Sequence, residues 1–309
     1  MNLFQTPDLA IDLGTAHIRV AGGRREAFRS PSVSRAARSL AGGVIVNVQA
    51  AAEILRPMIR RRHRMGKGRL RVLACAPTDV SALERNLVRS CILEAGASSV
   101  MVVPEPLAAA VGAGIDIGCR YAKFLVDFGD GVTDCALIRE GQIVDSIAER
   151  AGCGDLRRII QTFMEAGTGL PVTGEEADRI LRSVGLAAEG AETRLEAGGQ
   201  GRESPGMRIR LEALRAELQP VIDRMLAPIR TLLRRTTAGM GAEVIEDGIF
   251  LTGGGALLPG MRETVMAETG IDTRIVSNPL GAVICGARRM LPAAASLNLW
   301  KVWGSHQRS

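Results

Sequence analysis

DLGTAHIRV, residues 12–20, places an acid at the end of an apolar run, turns through Gly14 and Thr15, and continues into a second apolar run; DFGDGVTD, residues 127–134, does the same again. Residues 8–13 and 16–21 alternate in the manner of two strands joined by that turn. At 124–138 FLVDF enters a Gly-Asp-Gly turn and TDCALI leaves it, so the pattern implies two related halves. Such turns aim backbone N–H groups at one point and can hold a phosphate. Gly14, Thr15, Ala16 and His17 form the first candidate cradle, and Gly129, Asp130 and Gly131 the second. Asp12 and Asp127 end the two strands, where they could share the water shell of a magnesium ion, which prefers carboxylate oxygen and retained water. Taken singly, each turn is also what a plain hairpin needs; two facing copies could clamp a polyphosphate between them.

A third glycine turn follows in GIFLTGGGALLPGM, residues 248–261, where an apolar strand runs into Gly253, Gly254 and Gly255. Three glycines allow a ligand close to the backbone, although a strand-to-helix joint needing positive φ uses the same residues. Helical patterns at 49–63, 79–95, 105–113, 155–166, 174–185 and 208–236 make the chain mixed α/β. The small, polar, glycine-rich run 186–207 reads as an inserted loop or frayed hairpin.

With 309 residues, 46% of them hydrophobic, the chain can bury a large core in two domains or one big one. The most apolar stretch, 101–118, carries Pro104, Glu105, Pro106 and Asp116, which argues against a membrane span. The N-terminal MNLFQTPDLAID lacks the layout of a secretory signal, so a cytoplasmic protein is expected. Six cysteines without a CxxC pair, and three histidines, suggest buried thiols in place of a zinc site or a disulfide framework. The excess of 39 Lys and Arg over 33 Asp and Glu favours an anionic partner surface.

The three turns, in this order, resemble the phosphate-1, phosphate-2 and adenosine motifs of the actin, sugar-kinase and heat-shock-chaperone ATPase superfamily. PEPLAAAVGAGIDI (104–117), LTGGGALLPGM (251–261), AETG (267–270) and NPLGAVICGA (278–287) look like segments of the bacterial MreB family in MreB order. The resemblance implies duplicated actin-like (RNase H-like) domains around a nucleotide cleft that takes ATP and magnesium. It assigns 1–139 plus 278–309 to domain I and 140–277 to domain II, with a helical small subdomain at about 172–238. Glu105, matching the family's glutamate before proline, would polarise the attacking water, helped by Thr133. Asp178, Arg179 and Leu181 in ADRILRSVG, with Gly253 to Gly255, Ala256 and Leu257, would meet the nucleoside. The alternative role of Glu105 is a plain acid at a helix N-terminus.

The chain departs from the family in several places. His17 and Ile18 stand for asparagine and threonine; Asp130 and Val132 stand for glycine and threonine; Asp178 and Leu181 stand for glutamate and lysine. Asp130 brings negative charge toward the phosphates, and several lost contacts would weaken nucleotide affinity roughly tenfold to a hundredfold. After PSV (31–33) the chain runs almost directly to AGGVIVN (41–47), so the family's small subdomain there is expected to be missing. The implied function is a cell-shape scaffold at the inner membrane face, associating with itself or with a full-length MreB-type subunit and with cell-wall synthesis proteins. An active ATPase or a sugar-type kinase is the alternative.

Residues 56–71, RPMIRRRHRMGKGRLR, are basic without an acid, and the tail 297–309 holds Trp300 and Trp303. Both suit an anionic membrane surface, although a solvated loop and a tail docked on its own domain remain open. No aromatic is interleaved with the arginines, so nucleic acid is not expected.

Overall fold

The computed structural model describes residues 8–22, 28–32, 39–62, 70–186, 192–196 and 206–296. Strand β1 (Asp8–Leu13) folds back antiparallel onto β2 (His17–Ala21), and β2 onto β3 (Phe28–Pro31). On the other edge of β1 lie β6 (Arg71–Ala76) and β7 (Ser99–Pro104), both parallel to it, giving the order β3-β2-β1-β6-β7. The second sheet repeats this plan. Strands β8 (Lys123–Phe128), β9 (Thr133–Arg139) and β10 (Gln142–Glu149) form the antiparallel part, and β13 (Ile249–Thr252) and β14 (Thr273–Ile275) extend it in parallel, giving β10-β9-β8-β13-β14. Two sheets with one strand order are the structural form of the repeated turn. The central strands DLAIDL and KFLVDF are buried on both faces except at their first residues, as strands covered on both sides must be.

The internal register has a consequence for the site. Asp12 lies directly opposite Arg19 across β1 and β2, and Asp127 lies directly opposite Asp134 across β8 and β9. Arg19 is therefore the positional counterpart of Asp134 in the repeat.

Helices α1 (Val48–Arg62) and α2 (Ala82–Glu94) cover the first sheet, the latter started by a capping box in which Ser81 and Glu84 bond each other's backbone N–H. The second sheet is covered by α4 (Cys153–Thr168), α5 (Gly174–Val184) and α6 (Leu211–Arg235); Thr173 and Glu176 cap α5 in the same way. Between the two sheets run α3 (Glu105–Ala113) and α9 (Ala282–Ser296), one packing mainly under each sheet and both against each other. Their backbones touch at glycines: a methyl at Gly112 would overlap the Ala282 carbonyl, and one at Gly286 would overlap the Ala108 carbonyl.

Three expectations change here. Strands β8 and β9 fall within residues expected in the first domain, yet they hydrogen-bond into the second sheet, so the division between the halves precedes Lys123 and not residue 140. The helix expected from 208 begins at Leu211, because Gly206–Arg210 forms a strand, β12, paired with β11 (Glu192–Glu196). Part of the 186–207 insertion is thus a hairpin. Arg71, counted with the basic run, sits in β6, and its Nε and Nη2 donate to the two oxygens of Asp8 at 2.7 and 2.6 Å, which ties the first two parallel strands together. Residues 63–69 of that run and the tail 297–309 lie outside the described residues. Between β3 and α1 the described residues hold one short hairpin, β4 (Leu40–Ala41) with β5 (Val44–Ile45). No helix among the described residues is long and apolar enough to cross a membrane.

Candidate functional site: a cleft between the two halves

A cavity of about 580 Å³ opens between the halves, a size that accommodates a nucleotide. Its walls come from the three glycine turns. In the first, Ser32 anchors the loop from behind: its hydroxyl donates to the Gly14 carbonyl at 2.6 Å and its N–H to the Ala16 carbonyl at 3.0 Å. In the second, the N-terminal amides of α4 do the anchoring, with Cys153 N–H on the Gly129 carbonyl (3.1 Å) and Gly154 N–H on that of Asp130 (2.7 Å). The two turns meet across the cleft. A methyl at Gly131 would stand 2.6 Å from Thr15 Oγ1, and that hydroxyl accepts the Gly43 N–H at 2.9 Å. At the third turn Gly253 has φ +81°, and a side chain there would collide with the Asp127 carboxylate and the Phe128 carbonyl, so a glycine is required.

The cleft gathers most of the residues singled out from the sequence: Asp12, Gly14, Thr15, Ala16, His17, Glu105, Asp127, Gly129, Asp130, Gly131, Asp178, Arg179, Leu181, Gly253 and Gly254 all border it. It does not gather all. Thr133 is completely buried and its hydroxyl donates to the Ala151 carbonyl at 2.9 Å, so it holds the end of β9 and does not face the cleft. Gly255 and Ala256 are buried beneath the third turn, and Leu257 is exposed outside the lining.

The floor is acidic. Asp12 and Asp127 stand near the ends of β1 and β8, Asp134 near the start of the antiparallel β9, and Glu105 at the first position of α3 just after β7, and all four border the cleft. Burial lifts all four carboxyls above the usual range, Asp127 to about 7 and Asp134 to about 8. For Glu105 burial comes first, then Asp12, Asp127, Asp134 and Asp79, and it rises well above the ordinary value. That shift favours the protonated form of Glu105. Asp134 is also the clasp between the halves, since Thr78 donates its N–H (2.7 Å) and its hydroxyl (2.6 Å) to the two carboxylate oxygens. Below it Arg150 reaches Asp79 at 2.9 Å and Glu84 at 3.0 Å.

Arginines that sequence reading passed over line the same space. Arg157 binds Asp130 at 2.5 Å and approaches Asp178 at 3.6 Å, so the negative charge of Asp130 is met by a partner from α4 and is not turned bare toward a phosphate. Arg182 holds Asp178 from the other side at 2.7 Å. Arg19 donates from Nη1 to Asp12 Oδ2 at 2.8 Å, and Arg29 borders the cleft beside His17. Burial, followed by Arg29 and Arg19, lowers the pKa of His17, so its ring is neutral at pH 7. The signal available for Arg19 was the seven-residue step from the strand-ending acid, which leads from Asp127 to Asp134 and from Asp12 to Arg19.

The residues present fit a nucleotide's phosphates better than they fit the magnesium ion expected at Asp12 and Asp127. Asp12 already has a guanidinium on one oxygen.

Two duplicated α/β halves, a paired helix layer between them, and a cleft walled by a turn from each half define an actin-like protein. The MreB/Mbl protein family model matches residues 22–298, and the chain belongs to that family. The cell shape-determining protein MreB of Escherichia coli K12 is 29% identical over 269 residues, covering 85% of this chain and 78% of its own. Among solved structures, MreB5 of Spiroplasma citri bound to ADP superposes with a TM-score of 0.82 at 23% identity, over 94% of this chain and 97% of its own; its AMPPNP-bound structure gives the same TM-score at 24% identity. The MamK double helical filament matches with a TM-score of 0.77 at 18% identity, over 93% and 99%. The two MreB5 structures and MamK share this chain's fold.

Proposed function

We propose that this chain is a nucleotide-binding scaffold subunit of the cell-shape machinery, holding ATP or ADP between its halves and turning it over slowly. The observation that carries the reading is the contact of the Thr15 and Gly131 turns across one cleft, so that amides from both halves converge where a polyphosphate bridges them. A ligand there bonds to both halves and so favours the closed arrangement already clasped by Thr78 and Asp134.

Slow turnover follows from the floor. Glu105 is positioned at the cleft, but burial and then four neighbouring acids raise its pKa, which disfavours the ionised form that would accept a proton from water. Thr133 has no free hydroxyl to assist. Association with copies of itself or with a full-length MreB-type subunit, attachment to the inner membrane face through the basic run and the tail, and contact with wall-synthesis proteins complete the proposal. The short hairpin between β3 and α1 supports the reading that the subdomain normally placed there is reduced, which would alter the contacts along a filament.

The test is calorimetric titration of the full chain with ATP and ADP in magnesium buffer, followed by phosphate release from the same samples, with Glu105→Ala alongside. Binding with little phosphate release is the expected result. Rapid release abolished in Glu105→Ala would make the protein a working ATPase instead, and no heat of binding for either nucleotide would remove the reading.

A further inference from the structure

The register of the repeat puts a base where the second half has an acid. Arg19 and Asp134 each face the strand-ending aspartate of their own half. Asp134 turns its carboxylate away, to Thr78 of the other half, whereas Arg19 turns its guanidinium onto Asp12 at 2.8 Å. The pair is nearly enclosed, with side chains 19% and 7% exposed, and what remains of Arg19 opens on the cleft. Its Nη1 also lies along the first phosphate-facing turn, 3.7 Å from where a methyl on Gly14 would stand. A guanidinium has five N–H donors in a planar fork matched to phosphate oxygens, so the bond to Asp12 leaves donors over.

Whenever the floor carboxyls ionise they repel a polyphosphate, and a cation standing between them relieves the repulsion. Resting on the nucleotide reading above, we propose that Arg19, held in place by Asp12, is the built-in counter-cation of this cleft, so that the chain binds ATP and ADP without a divalent metal. The fixed cation is ordered before the ligand arrives, and Asp12 serves to orient it and not to hold a metal's water shell. Arg157, the other arginine deep in the cleft, cannot take this part as readily, because Asp130 and Asp178 both engage it.

The experiment is equilibrium binding of ATP and ADP to the full chain, by calorimetry, once in excess magnesium and once in EDTA. For the natural protein the two dissociation constants should agree within about threefold, the scatter of such a comparison. Arg19→Leu should lose roughly tenfold to a hundredfold in EDTA, the weight of one charge-assisted hydrogen bond, and recover part of it in magnesium as Asp12 is released. Arg19→Lys keeps the charge without the fork and should remain indifferent to EDTA while binding less tightly; far-ultraviolet circular dichroism of each variant separates a binding defect from misfolding. Binding by the natural protein that collapses in EDTA, or Arg19→Leu binding as tightly as the natural protein in EDTA, overturns the proposal and leaves the nucleotide reading standing. No binding in either buffer removes both.

Discussion

Replacing Gly112 by alanine adds one methyl to one of the two close backbone contacts between α3 and α9. Gly112 is a helical residue of α3 with ordinary helical φ, so the backbone accepts alanine, and helix propensity alone favours the change by about 0.5–1 kcal/mol. The methyl, however, meets the Ala282 carbonyl oxygen of α9 well inside van der Waals distance, with the Ala282 carbonyl carbon at 2.7 Å and the Gly286 nitrogen at 2.8 Å. Those atoms are backbone of a packed helix and cannot rotate aside, so α3 and α9 must separate. Overpacking of this kind costs about 1–3 kcal/mol, occasionally more, and outweighs the propensity gain. Gly241→Ala in α7 (Ala238–Asp247) is the matched control, since nothing stands within 4 Å of its new methyl and propensity acts alone. Thermal melting followed by circular dichroism should place Gly112→Ala below the natural protein by several degrees and Gly241→Ala slightly above it. Because α3 carries Glu105 at its first position, Gly112→Ala should also weaken nucleotide binding, and Gly241→Ala should not. A Gly112→Ala protein as stable as the natural one would refute the argument that backbone contact dictates this glycine.

Two further outcomes follow from the buried groups. Asp127 and Asp134, raised to about 7 and about 8, bind protons in the native state that the unfolded chain has already lost, so their contribution is full below pH 4 and disappears as pH rises through 7 and 8. Melting temperature of the ligand-free protein should accordingly fall between pH 6 and 8.5. Asp134→Asn, whose amide can still accept the Thr78 N–H and donate to its hydroxyl, should flatten that fall by up to about 1.4 kcal/mol per pH unit, and an unchanged pH profile would contradict the assignment. Among the thiols, burial pushes Cys91 and Cys153 up to about 12 and Cys75 and Cys135 higher than the ordinary range, so a thiol-specific reagent at pH 8 should label Cys119 and Cys285 quickly and the other four only on unfolding.

The sequence by itself determined the repeated strand-turn-strand unit, because period-2 apolar runs broken by Gly-Thr and Gly-Asp-Gly turns are local signals that later packing did not override. It also determined most of the helices, whose caps at Ser81 and Thr173 lie within a few residues of the helices they start. What only the tertiary structure decided was which groups face one another. Asp130 looked like a bare charge in its turn until Arg157, 27 residues away, was placed upon it. Thr133 looked like a free hydroxyl until the strand pleat turned it inward to Ala151. Thr78 and Asp134 form the clasp between the halves across 56 residues of chain, a distance over which no sequence periodicity carries information. Arg19 lies between these cases. Its pairing with Asp12 is implied by the antiparallel register of one hairpin, yet that the pair ends on the floor of a cleft, beside acids delivered by three other strands, is a property of how two sheets are brought end to end.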